Sequence, residues 1–211
     1  MTCSARKWSH PAALILMLTG LMALASFQRP ALAYPPAVGI LGASKDCLGC
    51  HIDNGPWKDD PRTVIDIVDK NSKQSLKRDD GSFVIEAKRG SVKTVMTIIG
   101  RAGGDTIAAP QRNAWLYVDP KTNGSSSLSK FAPGWEVNLP MACRLVGDIF
   151  EGYENASVTV LPMTVRPTDA AQNADIQLQV MLTSGESVKG NAKAGMTANY
   201  FERTVRLRVT E

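Results

Sequence analysis

Histidine is almost absent from this chain, which holds only His10 and His51 among its 211 residues. A structural zinc site needs four Cys or His ligands, so this scarcity argues against one. Catalytic centres that use a second histidine for proton transfer are disfavoured for the same reason. Any imidazole chemistry beyond the amino-terminal segment must therefore depend on His51.

The chain also lacks a strong charge of either sign. Its formal net charge is +4, but three of its 24 basic residues and none of its 20 acidic residues precede residue 34, so the remainder is close to neutral. This balance gives no support to nucleic-acid binding. The apolar run at residues 11–25 is 15 residues long and falls short of the roughly 20 needed to span a bilayer.

Residues 1–33 predict an export signal. Two basic residues precede the apolar run, and Ala31–Ala33 forms a small-residue cleavage site before Tyr34. Ala23–Ala25 is a second candidate site. We expect a mature protein that begins at Tyr34, is located in the periplasm and has no stable membrane span.

Three of the four cysteines lie beyond the signal: Cys47, Cys50 and Cys143. An odd number of thiols in an exported chain is a poor basis for a disulfide framework. Cys47 and Cys50 instead form a Cys-x-x-Cys-His motif with His51. At this spacing two thiols add to the vinyl groups of haem, and the adjoining imidazole binds the iron. We therefore expect one haem c per chain, anchored by Cys47 and Cys50, with His51 as the proximal iron ligand.

Three other interpretations of the motif are weaker. A zinc site would have to recruit Cys143 as its fourth ligand. A thioredoxin-like redox pair would follow a strand in an alternating strand–helix pattern, which this sequence does not show. An accidental motif in a plain structural domain is the remaining alternative. Covalent haem accounts best for three uncommon residues at fixed offsets.

Beyond the signal, two kinds of sequence pattern follow one another. Residues 34–62 are rich in Gly, Pro and Asp and have no sustained period, which predicts an irregular arm that carries the motif. From residue 63 onward, apolar and polar residues alternate with the period of half-buried strands. The predicted strands are Thr63–Asp69, Phe83–Arg89, Lys93–Ile99, Asn113–Val118, Trp135–Leu145, Ser157–Val165, Asp175–Leu182 and Thr204–Val209.

About eight short strands without a convincing amphipathic helix predict a mainly β fold. We expect an antiparallel immunoglobulin-like sandwich at residues 63–211, preceded by an irregular N-terminal haem-binding arm at residues 34–62 and the signal at residues 1–33. The compact helical fold of cytochrome c is the alternative, and this strand-rich sequence does not support it. Met141 and Cys143 share the apolar face of the predicted strand Trp135–Leu145, so both are expected to fill the core.

The Cys47–His51 motif resembles the haem site of c-type cytochromes. The layout also resembles cytochrome f, in which a mature chain begins Tyr-Pro, a haem motif follows soon after, and a β-sandwich comes next. Tyr34 and Pro35 match that start if the signal is cleaved after Ala33. The resemblance implies that the α-amino group of Tyr34 is the second iron ligand.

The residues themselves leave the second iron ligand open. An α-amine has a pKa close enough to neutrality for the neutral form of Tyr34 to bind iron. A methionine thioether is the common alternative and raises the reduction potential. Met163 follows a proline and Met196 follows a glycine, so both are expected to be presented from a loop or strand end, whereas Met141 has lower weight. The thiolate of Cys143, a lysine and an open position complete the alternatives.

These features predict a periplasmic monohaem c-type cytochrome that carries single electrons between redox partner proteins. An electron carrier is favoured over an independent enzyme. A haem-based sensor or gas-binding module is one alternative, and an electron-transfer subunit of a periplasmic redox enzyme is another. The sequence leaves the oligomeric state open.

Overall fold

Alternating apolar and polar residues form nine strands in the computed structural model, which describes residues 47–49, 51–122, 131–185 and 197–211. Many strand positions hold β-branched or aromatic residues, which suit a pleated and half-buried surface. The strands are β1 (Thr63–Asp69), β2 (Phe83–Lys88), β3 (Lys93–Ala102), β4 (Arg112–Val118), β5 (Trp135–Asn138), β6 (Met141–Leu145), β7 (Ala156–Pro167), β8 (Ala174–Ser184) and β9 (Thr197–Thr210).

The described strands form two sheets that pack as a β-sandwich. One sheet has four strands in the order β1-β3-β7-β5, and the other has five in the order β2-β9-β8-β4-β6. Neighbouring strands are antiparallel except β2 and β9, which run parallel. The predicted immunoglobulin-like sandwich is confirmed, and the β2–β9 pair is its one departure from a wholly antiparallel arrangement.

The main core lies between the two sheets. In β2, Phe83, Ile85 and Ala87 are buried whereas Glu86 and Lys88 are exposed, as the alternation predicts. Successive strand residues point to opposite faces, so one face of β2 enters the core. Other large side chains of this core are Ile67, Ile99, Trp115, Tyr117, Ile176 and Leu178.

The segment Trp135–Leu145 is not one strand, and that prediction is wrong. β5 pairs with β7 in the four-stranded sheet, whereas β6 pairs with β4 in the five-stranded sheet. Between them, Leu139 has a φ of 62° and is followed by Pro140. A left-handed residue turns the chain, and proline lacks the N–H that a central ladder position needs. The chain therefore crosses from one sheet to the other at this point.

The described part of the arm, residues 47–49 and 51–62, is irregular as predicted. It contains a 3₁₀ turn at Cys47–Gly49 and an isolated bridge between Asp53 and Ala198. Trp57 then enters the main core with 2% of its surface exposed, and its Nε1–H donates to the carbonyl oxygen of Ala108 at 3.0 Å. The arm is thus joined to the sandwich on both sides of Gly55.

Candidate functional site

The motif turn consists of the 3₁₀ turn Cys47–Gly49 together with His51. The backbone N–H of His51 donates to the carbonyl oxygen of Cys47 at 3.0 Å. A bond between residues four apart closes one helical turn, and side chains at that spacing lie on the same side. Cys50 lies outside the described residues. The closed turn is compatible with a thiol and an imidazole that act on one bound group.

Cys47 packs against the sandwich and exposes 6% of its surface. Its backbone N–H donates to Oε1 of Gln179 at 3.2 Å. Gln179 is itself buried, and its side-chain amide donates to Oε1 of Gln177 at 2.8 Å. This second bond orients the amide, so a glutamine on β8 provides a fixed acceptor for the first residue of the motif.

The motif turn docks on an apolar patch on the outer face of the five-stranded sheet. The strand register sets Tyr200, Met181, Ala114 and Cys143 in one row across β9, β8, β4 and β6. Outer faces of antiparallel sheets commonly carry polar residues in contact with water, so an apolar patch there requires a cover. We call this patch the outer-face cluster; it contains Cys47, Ala114, Leu116, Val118, Met181 and Ala198, with Met141, Cys143 and Tyr200 packed against them.

Asp53 fastens the arm two residues after His51. Its Oδ1 accepts hydrogen bonds from Nδ2 of Asn199 at 2.9 Å and from the backbone N–H of Tyr200 at 3.2 Å. Both partners belong to β9, the strand beside β8. The motif turn is therefore held at its start by β8 and beyond its end by β9.

The next two residues strengthen this attachment through the backbone. The N–H groups of Asn54 and Gly55 donate to the carbonyl oxygen of Ala198 at 2.9 and 2.7 Å. A Cβ at Gly55 would lie 2.9 Å from the backbone of Ala198, closer than real Cβ atoms come. Glycine therefore permits the close approach of the arm to β9.

His51 has the properties of a neutral metal-binding imidazole. Burial lowers its pKa below the usual value, which favours the neutral ring that can bind iron. Its Nδ1 is buried without a hydrogen-bond partner. Buried polar atoms are rarely left in this state, and each exception calls for an explanation such as a bound group. A neutral imidazole four residues after a thiol that packs on an apolar patch is compatible with the haem attachment that the motif predicts.

Met141 and Cys143 lie on the outer face and not in the core between the sheets, so that prediction is wrong. Both are half-buried and pack against the outer-face cluster. The crossing at Leu139 and Pro140 moves β6 into the other sheet and changes the face on which its alternating residues lie. Burial raises the pKa of the Cys143 thiol, which disfavours the thiolate that iron ligation would use.

Met163 is not presented from a loop or strand end, contrary to the prediction. It lies within β7, exposes 1% of its surface and packs in the main core between the sheets. The five-stranded sheet separates that core from the outer-face cluster. The other two favoured candidates for the second ligand, Tyr34 and Met196, lie outside the described residues.

Met181 is a sulfur-bearing residue of the site that the sequence interpretation did not single out. Met181 is fully buried, and it belongs to the same outer-face cluster as Cys47. Met181 shares the alternation phase of Gln177 and Gln179, which are polar. Side chains two residues apart in a strand point the same way, so this phase was the available signal that Met181 faces outward.

The described residues contain no group of three or more His, Cys, Asp or Glu side chains that could hold a metal ion, and Cys50 lies outside them. In the same part of the chain, no helix combines the length and the apolar character needed to cross a bilayer.

Comparisons with known proteins add little to this geometry. No family model matches the chain, and no curated protein matches it. Among solved structures, the chain is similar to the ASH / PapD-like domain of human CEP192, its PapD-like domain 7, at 9% sequence identity and a TM-score of 0.31. The similarity covers 74% of this chain and 92% of that domain. At this level it carries no argument about function.

Proposed function

We propose that this chain is a periplasmic monohaem c-type cytochrome that transfers single electrons between redox partner proteins and is not an independent enzyme. The observation that carries the proposal is the motif turn: a Cys-x-x-Cys-His sequence whose backbone bond between His51 and Cys47 closes a helical turn on an apolar patch. The export signal that the sequence predicts agrees with this proposal, because this kind of haem attachment takes place outside the cytoplasm.

Each residue of the motif has a distinct role. Cys47 and Cys50 anchor one haem through thioether bonds, and His51 binds the iron on the proximal side. When bound, the haem supplies the one-electron couple of its iron. The neutral state of His51, favoured by burial, leaves a ring nitrogen able to bind the metal without prior loss of a proton.

The sandwich keeps the motif in one position. Gln179 holds the backbone of Cys47, and Asp53 holds the arm to Asn199 and Tyr200. The outer-face cluster excludes water from one side of the motif turn. Leu48 exposes 42% of its surface, so another side of the turn faces solvent, where a redox partner can approach.

The test is covalent haem attachment in the exported protein. The protein is produced with its signal in a bacterial host that matures c-type cytochromes, and haem is detected after denaturing electrophoresis. We expect haem in the wild type, none in a Cys47→Ala/Cys50→Ala double variant, and undiminished haem in Cys143→Ala. Cys143 is the matched control, because it is the third thiol outside the signal and packs against the same cluster.

The opposite results would overturn the proposal. A wild-type protein without covalent haem, or the same amount of haem in the Cys47→Ala/Cys50→Ala variant, would remove its basis. A haem protein whose ferrous form binds carbon monoxide rapidly would have an open iron position, which is the property of a sensor or gas-binding module and not of a six-coordinate carrier.

A further inference from the structure

The arm contains an Asn-Gly dipeptide at the point where it meets β9. The side chain of Asn54 is exposed, and Gly55 follows it directly. In such a dipeptide the backbone nitrogen of the glycine can attack the side-chain amide carbon of the asparagine, because glycine has no side chain to hinder the approach. A chemically reactive dipeptide therefore lies in the segment that joins the motif turn to the sandwich.

Docking of the arm requires the glycine of this dipeptide. A Cβ at position 55 would lie 2.7 Å from Oδ1 of Asn199 and 2.9 Å from the carbonyl carbon and oxygen of Ala198. Both distances are shorter than real Cβ contacts, so only glycine allows the arm to approach β9 this closely. The residue that permits docking is thus the same residue that makes Asn54 reactive.

The docked arm also protects Asn54 from this attack. The N–H of Gly55 donates to the carbonyl oxygen of Ala198 at 2.7 Å, a good hydrogen-bond distance. The nitrogen must lose that proton before it can act as a nucleophile, and it must also be free to move towards the side chain of Asn54. The reaction therefore needs a local opening in which Gly55 leaves Ala198, and the same opening lets the amide exchange its hydrogen with solvent.

We propose that Asn54 is a deamidation site whose rate of reaction is set by release of the arm from β9. The nitrogen of Gly55 forms a bond to Cγ of Asn54, which closes a succinimide ring. The side-chain nitrogen Nδ2 takes up a proton in place of the one that Gly55 lost and leaves as ammonia. Water then opens the ring at either carbonyl group and produces aspartate or isoaspartate. The net reaction consumes one water molecule, releases one ammonia molecule and transfers no electrons.

The products cannot restore the original attachment. Isoaspartate routes the backbone through the former side chain and adds one methylene group, so Asp53 and Gly55 can no longer both meet β9 in the present register. Either product also places a new carboxylate beside that of Asp53, which accepts hydrogen bonds from Asn199 and Tyr200, and like charges repel. The reaction therefore converts a transient opening into a lasting release of the segment after the motif turn.

The first experiment uses the wild type alone. The purified protein is incubated at one mildly alkaline pH in native buffer and in guanidinium chloride, and peptide mass spectrometry follows conversion of the Asn54 amide to a carboxylate. We expect isoaspartate among the products and a rate at least about tenfold slower in native buffer than in denaturant. Equal rates in the two solutions would show that docking does not protect Asn54. Absence of conversion in denaturant would remove the site altogether.

Two variants test the link between docking and reaction. Asp53→Ala removes the acceptor for Asn199 and Tyr200, so in native buffer we expect Asn54 to react about tenfold faster than in the wild type. The ratio of the two reaction rates should equal the ratio of the hydrogen-exchange rates of the Gly55 amide, and a different ratio would overturn the proposal. Asn54→Gln is the matched control, because it keeps an exposed amide but would have to close a less favourable six-membered ring. It should show no conversion at position 54.

Protein separated after partial reaction tests the consequence. In molecules that carry isoaspartate at position 54, the amide of Gly55 should exchange at least about tenfold faster than in unmodified molecules, because its bond to Ala198 is lost. Unchanged exchange would show that the arm stays docked after the reaction and would overturn the lasting release. None of these measurements depends on haem, so their results are independent of the function proposed above.

Discussion

Gln179 binds the irregular arm to the sheet through a single side-chain acceptor. The arm offers backbone N–H groups that must find partners when they are buried. Gln179 provides an acceptor at 3.2 Å from the nitrogen of Cys47 and is itself held by Gln177 at 2.8 Å. A glutamine is long enough to bring its oxygen above the surface of the sheet, so the motif turn contacts the sandwich without a strand ladder.

Asp53 should control how firmly the arm is attached. Asp53→Ala removes the acceptor for Asn199 and Tyr200, and net hydrogen bonds are worth about 0.5–1.5 kcal/mol each. We therefore expect the amides of Asn54 and Gly55 to exchange with solvent about tenfold faster in native-state hydrogen exchange.

Asp53→Asn is the matched control because it keeps one acceptor oxygen at the same position. Its exchange rates at Asn54 and Gly55 should lie between those of the wild type and Asp53→Ala. Equal rates in all three proteins would show that the backbone bonds to Ala198 hold the arm without help from the carboxylate.

Asp69 should make the stability depend on pH in the acid range. The side-chain ammonium of Lys93 and the N–H groups of Ser72 and Asn71 lower the pKa of Asp69 from 3.8 to about 2. Because the folded-state pKa is depressed, the stabilisation is fully present above about pH 4 and is lost as the pH falls through about 2. Urea unfolding at several pH values across this range should show a smaller loss of stability for Asp69→Asn than for the wild type. Identical pH dependence of the two proteins would contradict the assignment.

At the scale of elements, the crossing between β5 and β6 marks the limit of what alternation predicts. The apolar phase runs unbroken from Trp135 to Leu145, so the sequence reads as one strand. The strand ends at Leu139, which has a φ of 62°. Leucine rarely adopts this left-handed conformation, so the sequence does not predict it. The remaining strands were predictable to within a few residues at most ends because each keeps one face in the core. The largest difference is β9, which begins at Thr197 and not at Thr204.

Some residues of the candidate site were predictable from the sequence, and others depend on strand pairing that the sequence does not show. Cys47, Cys50 and His51 were recognisable because the motif lies in adjacent residues. Met163 was misplaced because Pro162 suggested a strand end, whereas β5 pairs only with residues 164–167 of β7 and leaves Pro162 without a neighbour on that side. Proline is tolerated at such edge positions. Met181 belongs to the site only through strand pairing, which one sequence does not reveal.

The unfolding free energy should depend more on the shape of the side chain at position 139 than on its hydrophobicity. Leu139→Ile keeps the size of the side chain but adds a branch at Cβ, which is strongly disfavoured at a φ of 62°. We expect this variant to lose about 1–2 kcal/mol of unfolding free energy, as for a residue forced into a strained backbone region. Urea denaturation gives the measurement.

Leu139→Asn is the comparison, since asparagine tolerates the left-handed region. It should be at least as stable as Leu139→Ile although it is polar and the site is half-buried. If Leu139→Ile matched the wild type, the crossing would not depend on the backbone conformation of this residue.

At the scale of the molecule, the arm from Cys47 onward is part of the sandwich. Besides Trp57 in the core, Arg101 of β3 is 3% exposed and forms ion pairs with Asp60 at 3.3 Å and Asp105 at 2.9 Å. The C-terminal end of the arm, at Asp60, is therefore held by β3, whereas the motif turn is held by β8 and β9. The arm thus contacts both sheets, and we expect the two regions to unfold together.

Trp57→Ala should destabilise the whole protein and not only the arm. Removal of a fully buried tryptophan costs about 3–5 kcal/mol, from lost burial and from the cavity that remains. We expect a lower urea midpoint that is the same whether unfolding is followed at the arm or at the strands. Val92→Ala is the control, since Val92 is 65% exposed and such surface changes usually stay within about 0.5 kcal/mol. A normal midpoint for Trp57→Ala would show that the arm is energetically separate.

The long separation between the motif turn and its docking strands has a consequence for the order of events during synthesis. Gln179 lies 132 residues after Cys47, and Tyr200 lies 147 residues after Asp53. Until β8 and β9 have emerged and paired, the first thiol has no surface on which to be buried. Contacts this distant in sequence form late, because the entropy of closing long loops must be overcome first. An enzyme that attaches the proposed haem would therefore meet an open Cys47 on the nascent, unfolded chain and a shielded one once the sandwich has closed.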